Sequence, residues 1–193
     1  MFGDSTSWGA YDMEKGGWVN RLRLHCWEED IDNEIYNLSI SGGTTEAILE
    51  RFEREARSRK AQALIFQSGG NDATYVDGKP DNYMVAAEKF EKNIREIIAK
   101  AKTITDKMVF LDLKNCDESK TLPVYWGPYY ISNANLRKYT NIMRSVCESE
   151  GVDCLDLENL ENDEFEDGLH PNAAGHEKIY QQVRKFLEDK QWI

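Results

Sequence analysis

Three histidines, His25, His170 and His176, stand in this chain of 193 residues, and imidazole is the side chain best suited to accept a proton near neutral pH. Two of them fall inside stretches that read as helices. His25 lies between Leu24 and Cys26 in a first helix and His176 inside the last one, so roles on a helix surface or in packing account for both. His170 differs, because it closes the run Asp167-Gly168-Leu169-His170 and is followed by Pro171, just ahead of a helix start. A carboxylate three residues before an imidazole in a tight turn can accept from Nδ1–H and leave Nε2 free as a base, and Gly168 permits the turn. The same residues also suit a helix cap, and Asp-x-x-His by itself does not choose between the two.

A base of this kind calls for a nucleophile and for donors aimed at a developing oxyanion. Gly3-Asp4-Ser5-Thr6 puts a serine at a sharp strand exit, where its hydroxyl and its own N–H can face one rim; a plain turn uses the same residues. Gly42 lets a second backbone N–H approach a ligand closely, or merely turns the chain before a helix that opens at Thr44. Asn71, in Ser68-Gly69-Gly70-Asn71-Asp72, can donate its side-chain amide, or serve as the Asn that a turn favours after Gly-Gly.

These clusters need a scaffold that brings them together. Short apolar runs alternate with longer amphipathic ones, the pattern of βα units around a parallel sheet. The strand candidates are Met1–Phe2, Glu34–Ile40, Ala63–Gln67, Lys107–Leu113 and Val152–Leu157. Between the third and fourth, Met84, Ala87, Phe90, Ile94, Ile97, Ile98 and Ala101 recur at three- and four-residue spacing, which predicts a helix with one apolar face. Further helices are predicted over Gly17–Glu28, Thr44–Lys60, Asn133–Glu150 and Pro171–Lys190, with Pro171 at the first position of the last. The architecture predicted is a three-layer α/β/α sandwich with a five-stranded parallel sheet, one domain over residues 1–193. Such a sheet binds ligands beyond the carboxyl ends of its strands, and the clusters at Ser5, Gly42 and Asn71 each follow a predicted strand. If Gly3 begins a turn, only Met1 and Phe2 remain for the first strand, which is then either stunted or continued by residues upstream.

The joint pattern resembles the SGNH (GDSL-type) hydrolases. Four blocks occur in order: Phe2-Gly3-Asp4-Ser5, Asn37-Leu38-Ser39-Ile40-Ser41-Gly42, Gly69-Gly70-Asn71-Asp72, and Asp167 to His170. The resemblance implies a flavodoxin-like sandwich in which Ser5 is the nucleophile and Asp167 and His170 complete a triad. It also implies an oxyanion hole made of the Ser5 N–H, the Gly42 N–H and the Asn71 amide, and acyl esters as substrates, with neither cofactor nor metal required. Thr6 stands where members named for the motif carry leucine, and Gly43 where many carry aspartate. An acyltransferase, a lysophospholipase or thioesterase, and a binding module that has lost turnover share these blocks.

Composition narrows the partners. With 35 acidic against 24 basic residues the formal net charge is −11, which repels phosphate backbones and anionic headgroups, so nucleic acid is not an expected partner. No apolar run approaches the roughly 18 residues of a membrane span, and no basic segment leads into an apolar one at the start, so no stable membrane association and a cytoplasmic location are expected. Cys26, Cys116, Cys147 and Cys154 show no zinc spacing and are expected as free thiols. The run Leu122 to Tyr130, rich in aromatics, and Trp8 can wall an acyl or alcohol pocket, or pack over the sheet. With no lipid-docking helix in view, small acyl esters with short chains are the expected substrates.

Overall fold

The computed structural model describes residues 1–112 and 115–193. In chain order the elements are β1 (Phe2–Gly3), α1 (Ser5–Trp8), α2 (Trp18–Glu29), α3 (Thr45–Ser58), β2 (Leu64–Gln67), β3 (Tyr75–Val76), α4 (Ala87–Ala101), β4 (Met108–Leu111), α5 (Glu118–Thr121), β5 (Tyr129–Tyr130), α6 (Asn133–Glu150), β6 (Asp153–Leu155) and α7 (Ala173–Asp189). Four strands form a parallel sheet in the order β1-β2-β4-β6, with Phe2 opposite Phe66 and Phe66 opposite Phe110.

The two central strands, Leu-Ile-Phe-Gln and Met-Val-Phe-Leu, are buried at every position. Unbroken apolar runs of this kind belong to strands covered on both faces, and two separate cores lie against this sheet. On one face Phe2, Phe66 and Phe110 pack with Ile48 and Phe52 of α3, Ile94 and Ile98 of α4 and Met143 of α6. The Phe66 ring stacks on Phe110 with centroids 4.9 Å apart and on Phe2 at 5.9 Å. On the other face Ile65, Val109 and Leu111 meet Trp18, Val19 and Leu22 of α2 and Ile179, Val183 and Leu187 of α7. The three-layer α/β/α arrangement read from the sequence is the one observed.

Several details differ from the sequence reading. Among the described residues the sheet has four strands, not five: Glu34–Ile40 forms no regular strand, although it runs beside β1. The Met1 ammonium donates to the Tyr36 carbonyl at 3.0 Å, Leu38 N–H to Met1 at 2.9 Å and Ile40 N–H to Gly3 at 3.0 Å. The Asn37 side-chain carbonyl takes the Ser39 N–H at 3.1 Å, a local bond that competes with ladder formation. Pro171 is not the first residue of the last helix. Asn172 caps α7, its side chain accepting from Ala174 and Gly175, while Pro171 forms an antiparallel bridge with Phe165. Met84 is exposed and precedes α4. Leu113, the expected end of the fourth strand, lies outside the described residues. A second, two-stranded antiparallel sheet, β3 with β5, was not foreseen; Tyr75 stacks on Tyr130 within it at 5.1 Å.

Among the described residues no helix is long and apolar enough to cross a membrane, and no group of three or more His, Cys, Asp or Glu is placed to hold a metal ion.

Candidate active site

Ser5 lies two residues beyond the end of β1, at the first position of α1, so the strand end fixes where its hydroxyl can go. Asp4 caps the short helix α1 and accepts the Thr6 N–H at 3.0 Å, which holds Ser5 at the mouth of the sheet. Its partner comes from the other end of the chain. Residues 165–171 form a tight loop closed by the bridge between Phe165 and Pro171 and by the Glu166 N–H donating to the His170 carbonyl at 2.9 Å. At its tip Gly168 has φ +90°, a left-handed conformation open to glycine at little cost. That bend turns Asp167 back on the loop. Its Oδ1 accepts the N–H groups of Leu169 (2.9 Å) and His170 (2.8 Å), and its Oδ2 lies 2.7 Å from His170 Nδ1.

The remaining ring nitrogen, His170 Nε2, is 2.9 Å from Ser5 Oγ. Ser5, His170 and Asp167, which the sequence reading singled out, thus form one hydrogen-bonded chain. A carboxylate at Nδ1 fixes the proton there and leaves Nε2 unprotonated, as a base facing a hydroxyl must be. Burial would raise the Asp167 carboxyl, yet the bonds from the His170 ring and from two backbone N–H groups hold it below the usual carboxylate range. It is therefore a charged acceptor.

A cavity of about 50 Å³ opens beside the serine, lined by Asp4, Ser5, Thr6, Gln67, Asn71 and Leu169 among others. Asn71 faces it and donates its amide to the Gly43 carbonyl at 3.0 Å; the amide has two hydrogens, so one remains for another acceptor. Gly42 does not line this cavity. It sits exposed in the neighbouring turn with φ +77°, and a Cβ built there would meet nothing within 4 Å. The Asn71 bond to Gly43 ties that turn to the site, and the next residue, Asp72, receives the Thr45 N–H and hydroxyl at the start of α3.

Two features lay outside the sequence reading. Tyr11 packs against the His170 ring at 5.3 Å between centroids, and Trp126 of the aromatic loop contacts the same ring at 5.7 Å, with Tyr125 edge-on to Trp126. The aromatic run was visible in sequence; Tyr11 carried no spacing signal. Asp4, next to the nucleophile, is a buried carboxyl whose burial, with the charge of Asp72 adding, pushes it up to about 6 against the Thr6 N–H bond and His170. His25 lies far from this chemistry in contacts: its Nε2 is 3.3 Å from Glu188.

Comparison with known proteins gives one family. The family model described as "GDSL-like Lipase/Acylhydrolase family" matches residues 1–178. The chain is 24% identical over 193 residues to Esterase TesA of Pseudomonas aeruginosa, covering 97% of this chain and 86% of that protein. Among solved structures, a lipase/acylhydrolase from Enterococcus faecalis superposes with a TM-score of 0.77 at 19% identity, over 98% of this chain and 94% of that one. An acetyl xylan esterase from Geobacillus stearothermophilus gives 0.71 at 16% identity, over 97% and 91%. At these identities the structural likeness speaks for the fold.

Proposed function

Because the chain belongs to the GDSL-like lipase/acylhydrolase family, we propose that it hydrolyses carboxylic esters of short acyl groups through an acyl-enzyme, with Ser5 as nucleophile, His170 as base and Asp167 orienting it. The observation that carries this reading is the unbroken line from Asp167 Oδ2 through both ring nitrogens of His170 to Ser5 Oγ, 2.7 and 2.9 Å long at its two contacts.

The steps follow from those atoms. His170 Nε2 takes the hydroxyl proton as Ser5 Oγ bonds to the ester carbonyl carbon, and the carbonyl oxygen becomes the oxyanion. The Ser5 N–H and the free hydrogen of the Asn71 amide, both from residues lining the cavity, are its donors in this reading, with the Gly42 N–H of the neighbouring turn, which Asn71 ties to the site, as the third. Collapse breaks the bond to the alcohol oxygen, which leaves with the proton from Nε2. Water then repeats the sequence on the acyl-serine, returning the acid and the free hydroxyl. None of these steps calls on a metal or an organic cofactor.

The cavity supports small acyl groups. At about 50 Å³ it has room for a few water-sized groups, which suits an acyl group from acetyl to butyryl. Tyr11 and Trp126, both in ring contact with His170, would border the departing alcohol in this reading. The likeness to an acetyl xylan esterase supports including acetylated sugars among the esters tested. A p-nitrophenyl ester series from acetyl to palmitoyl, beside acetylated xylose and a lysophospholipid, tests the reading. The highest kcat/KM should fall between acetyl and butyryl, and preference for palmitoyl would overturn the small acyl site. An organophosphonate should label Ser5 alone, read by mass spectrometry of the digest; label elsewhere would overturn the nucleophile. Transfer to a sugar hydroxyl instead of water uses the same steps, and the product ratio with added alcohol separates the two.

A further inference from the structure

His176 is buried completely and takes no part in the steps above. Its surroundings fix its proton as firmly as those of His170. The Trp18 backbone N–H donates to Nδ1 at 3.3 Å, so Nδ1 is unprotonated, and Nε2–H donates to the Ala10 carbonyl at 2.9 Å. Burial keeps the ring neutral, lowering its proton affinity.

We propose that His176 is a positioning residue that sets the spacing of Ser5 and His170 through the bond from its Nε2–H to the Ala10 carbonyl. This rests on the reading of Ser5 and His170 given above. The two groups come from opposite ends of the chain, and no covalent neighbourhood holds them at 2.9 Å. The Ala10 N–H donates to the carbonyl of Ser5 itself at 3.0 Å. From the Ala10 carbonyl the next link is His176, in the first turn of α7, whose cap Asn172 lies two residues after His170. Two hydrogen bonds therefore join the backbone of the nucleophile to the helix that begins just after the loop carrying the base.

Neighbouring bonds brace this link. Gln67 Oε1 accepts from the Ser7 hydroxyl and from Trp18 Nε1 (3.1 Å), fixing α1 against the start of α2. Asp12 accepts from Gly17 N–H (2.9 Å) and Arg21 Nε (3.0 Å), and Arg21 reaches Glu177, the residue after His176, at 2.5 Å. The loop that carries Tyr11 to the His170 ring is thus fastened at both ends to α7.

Two near-isosteric variants separate the two nitrogens. His176→Gln places an amide donor where Nε2 was and gives up the acceptor for Trp18, whereas His176→Asn places an acceptor where Nδ1 was and gives up the donor to Ala10. On a short-chain ester His176→Asn should lower kcat by on the order of 10²-fold, the effect of misplacing a reacting group by about 1 Å, with KM nearly unchanged. His176→Gln should keep most of kcat although both variants melt earlier than wild type. Organophosphonate labelling of Ser5 should slow in parallel with kcat. Equal losses in the two variants, no loss in either, or a KM that rises with the fall in kcat would overturn the proposal. Should His176→Asn fail to fold, His176→Gln still decides: its loss of kcat and of labelling rate would overturn the role of the donor. Turnover retained by Ser5→Ala would instead refute the nucleophile, a different failure with a different signature.

Discussion

His170 and His176 stand six residues apart around the start of one helix and hold their protons on opposite nitrogens. At His170 a carboxylate takes Nδ1–H and leaves Nε2 facing a hydroxyl; at His176 a backbone N–H fills Nδ1 and Nε2–H is spent on a carbonyl. The first ring is open to solvent over 13% of its side chain and the second not at all. Partners, more than residue type or burial, decide whether an imidazole can exchange a proton or only lend one. A carboxylate can take up the positive charge of a protonated ring, whereas a backbone N–H and a carbonyl leave room for only one tautomer.

The largest break in this comparison comes from removing the first ring. His170→Ala should lower kcat by about 10⁴–10⁶, and the double variant with Ser5→Ala should be scarcely worse than either single one, because the residues act as a unit. His25→Ala should change kcat little. Steady-state assays of the four variants check this, and additive losses would separate His170 from Ser5.

The next effect concerns the donors across the cavity. Asn71→Ala should lower kcat by about 10²–10³ with KM little changed, since an oxyanion donor acts in the transition state. An unaltered kcat would leave Asn71 to its bond with Gly43.

The smallest effect on activity, and the largest on stability, is expected from the buried ion pair of Asp12 with Arg21. Asp12 and Arg21 are nearly inaccessible to solvent, and removing one partner of a buried pair costs roughly 3 kcal/mol. Asp12→Asn should therefore lower Tm markedly at pH 7 while the Ser5 label still forms. Burial would raise the Asp12 carboxyl, yet Arg21 and the backbone N–H groups of Gly17, Lys15 and Glu14 hold it down at about 2, against 3.8 unperturbed. A carboxylate depressed on folding stabilises above its unfolded value and loses that contribution as pH falls through the folded one. The Tm difference between wild type and Asp12→Asn should thus be full above pH 4 and shrink towards pH 2. Thermal melts across that range measure it, and a difference independent of pH would remove the ion pair as its cause.

What could be read from the sequence follows the reach of each signal. The buried strands announced themselves as apolar runs, and α6 as a periodic stretch with the observed bounds. The chemistry was legible because Asp167 and His170 interact within one turn and Gly168 marks the bend. Segment 34–40 misled, because its apolar alternation is strand-like while Asn37 bonds to its own neighbour. The sheet of β3 and β5 has two residues per strand, too few for any period to register. His176, inside the last helix, was read as a helix-surface or packing residue; both its partners are backbone groups, and a backbone group leaves no mark in sequence. Tyr11 reaches His170 through a loop whose shape is set by Asp12, Arg21 and Glu177, contacts between residues up to 156 apart in the chain.

The irregular pairing of residues 36–40 with β1 has one more consequence. A parallel sheet ends in strands whose outer N–H and C=O groups can template a strand from another molecule. Along β1 that row is already taken by Tyr36, Leu38 and Ile40, and the Asn37 side chain of the covering segment reaches the Ser7 carbonyl at 2.7 Å. The opposite margin, β6, carries Asp153, paired with Lys190, and is followed by Asp156, paired with Arg144. Neither margin offers the long, flat, uncharged edge on which sheets grow from one molecule to the next, so the fold guards against its own aggregation at both ends of the sheet.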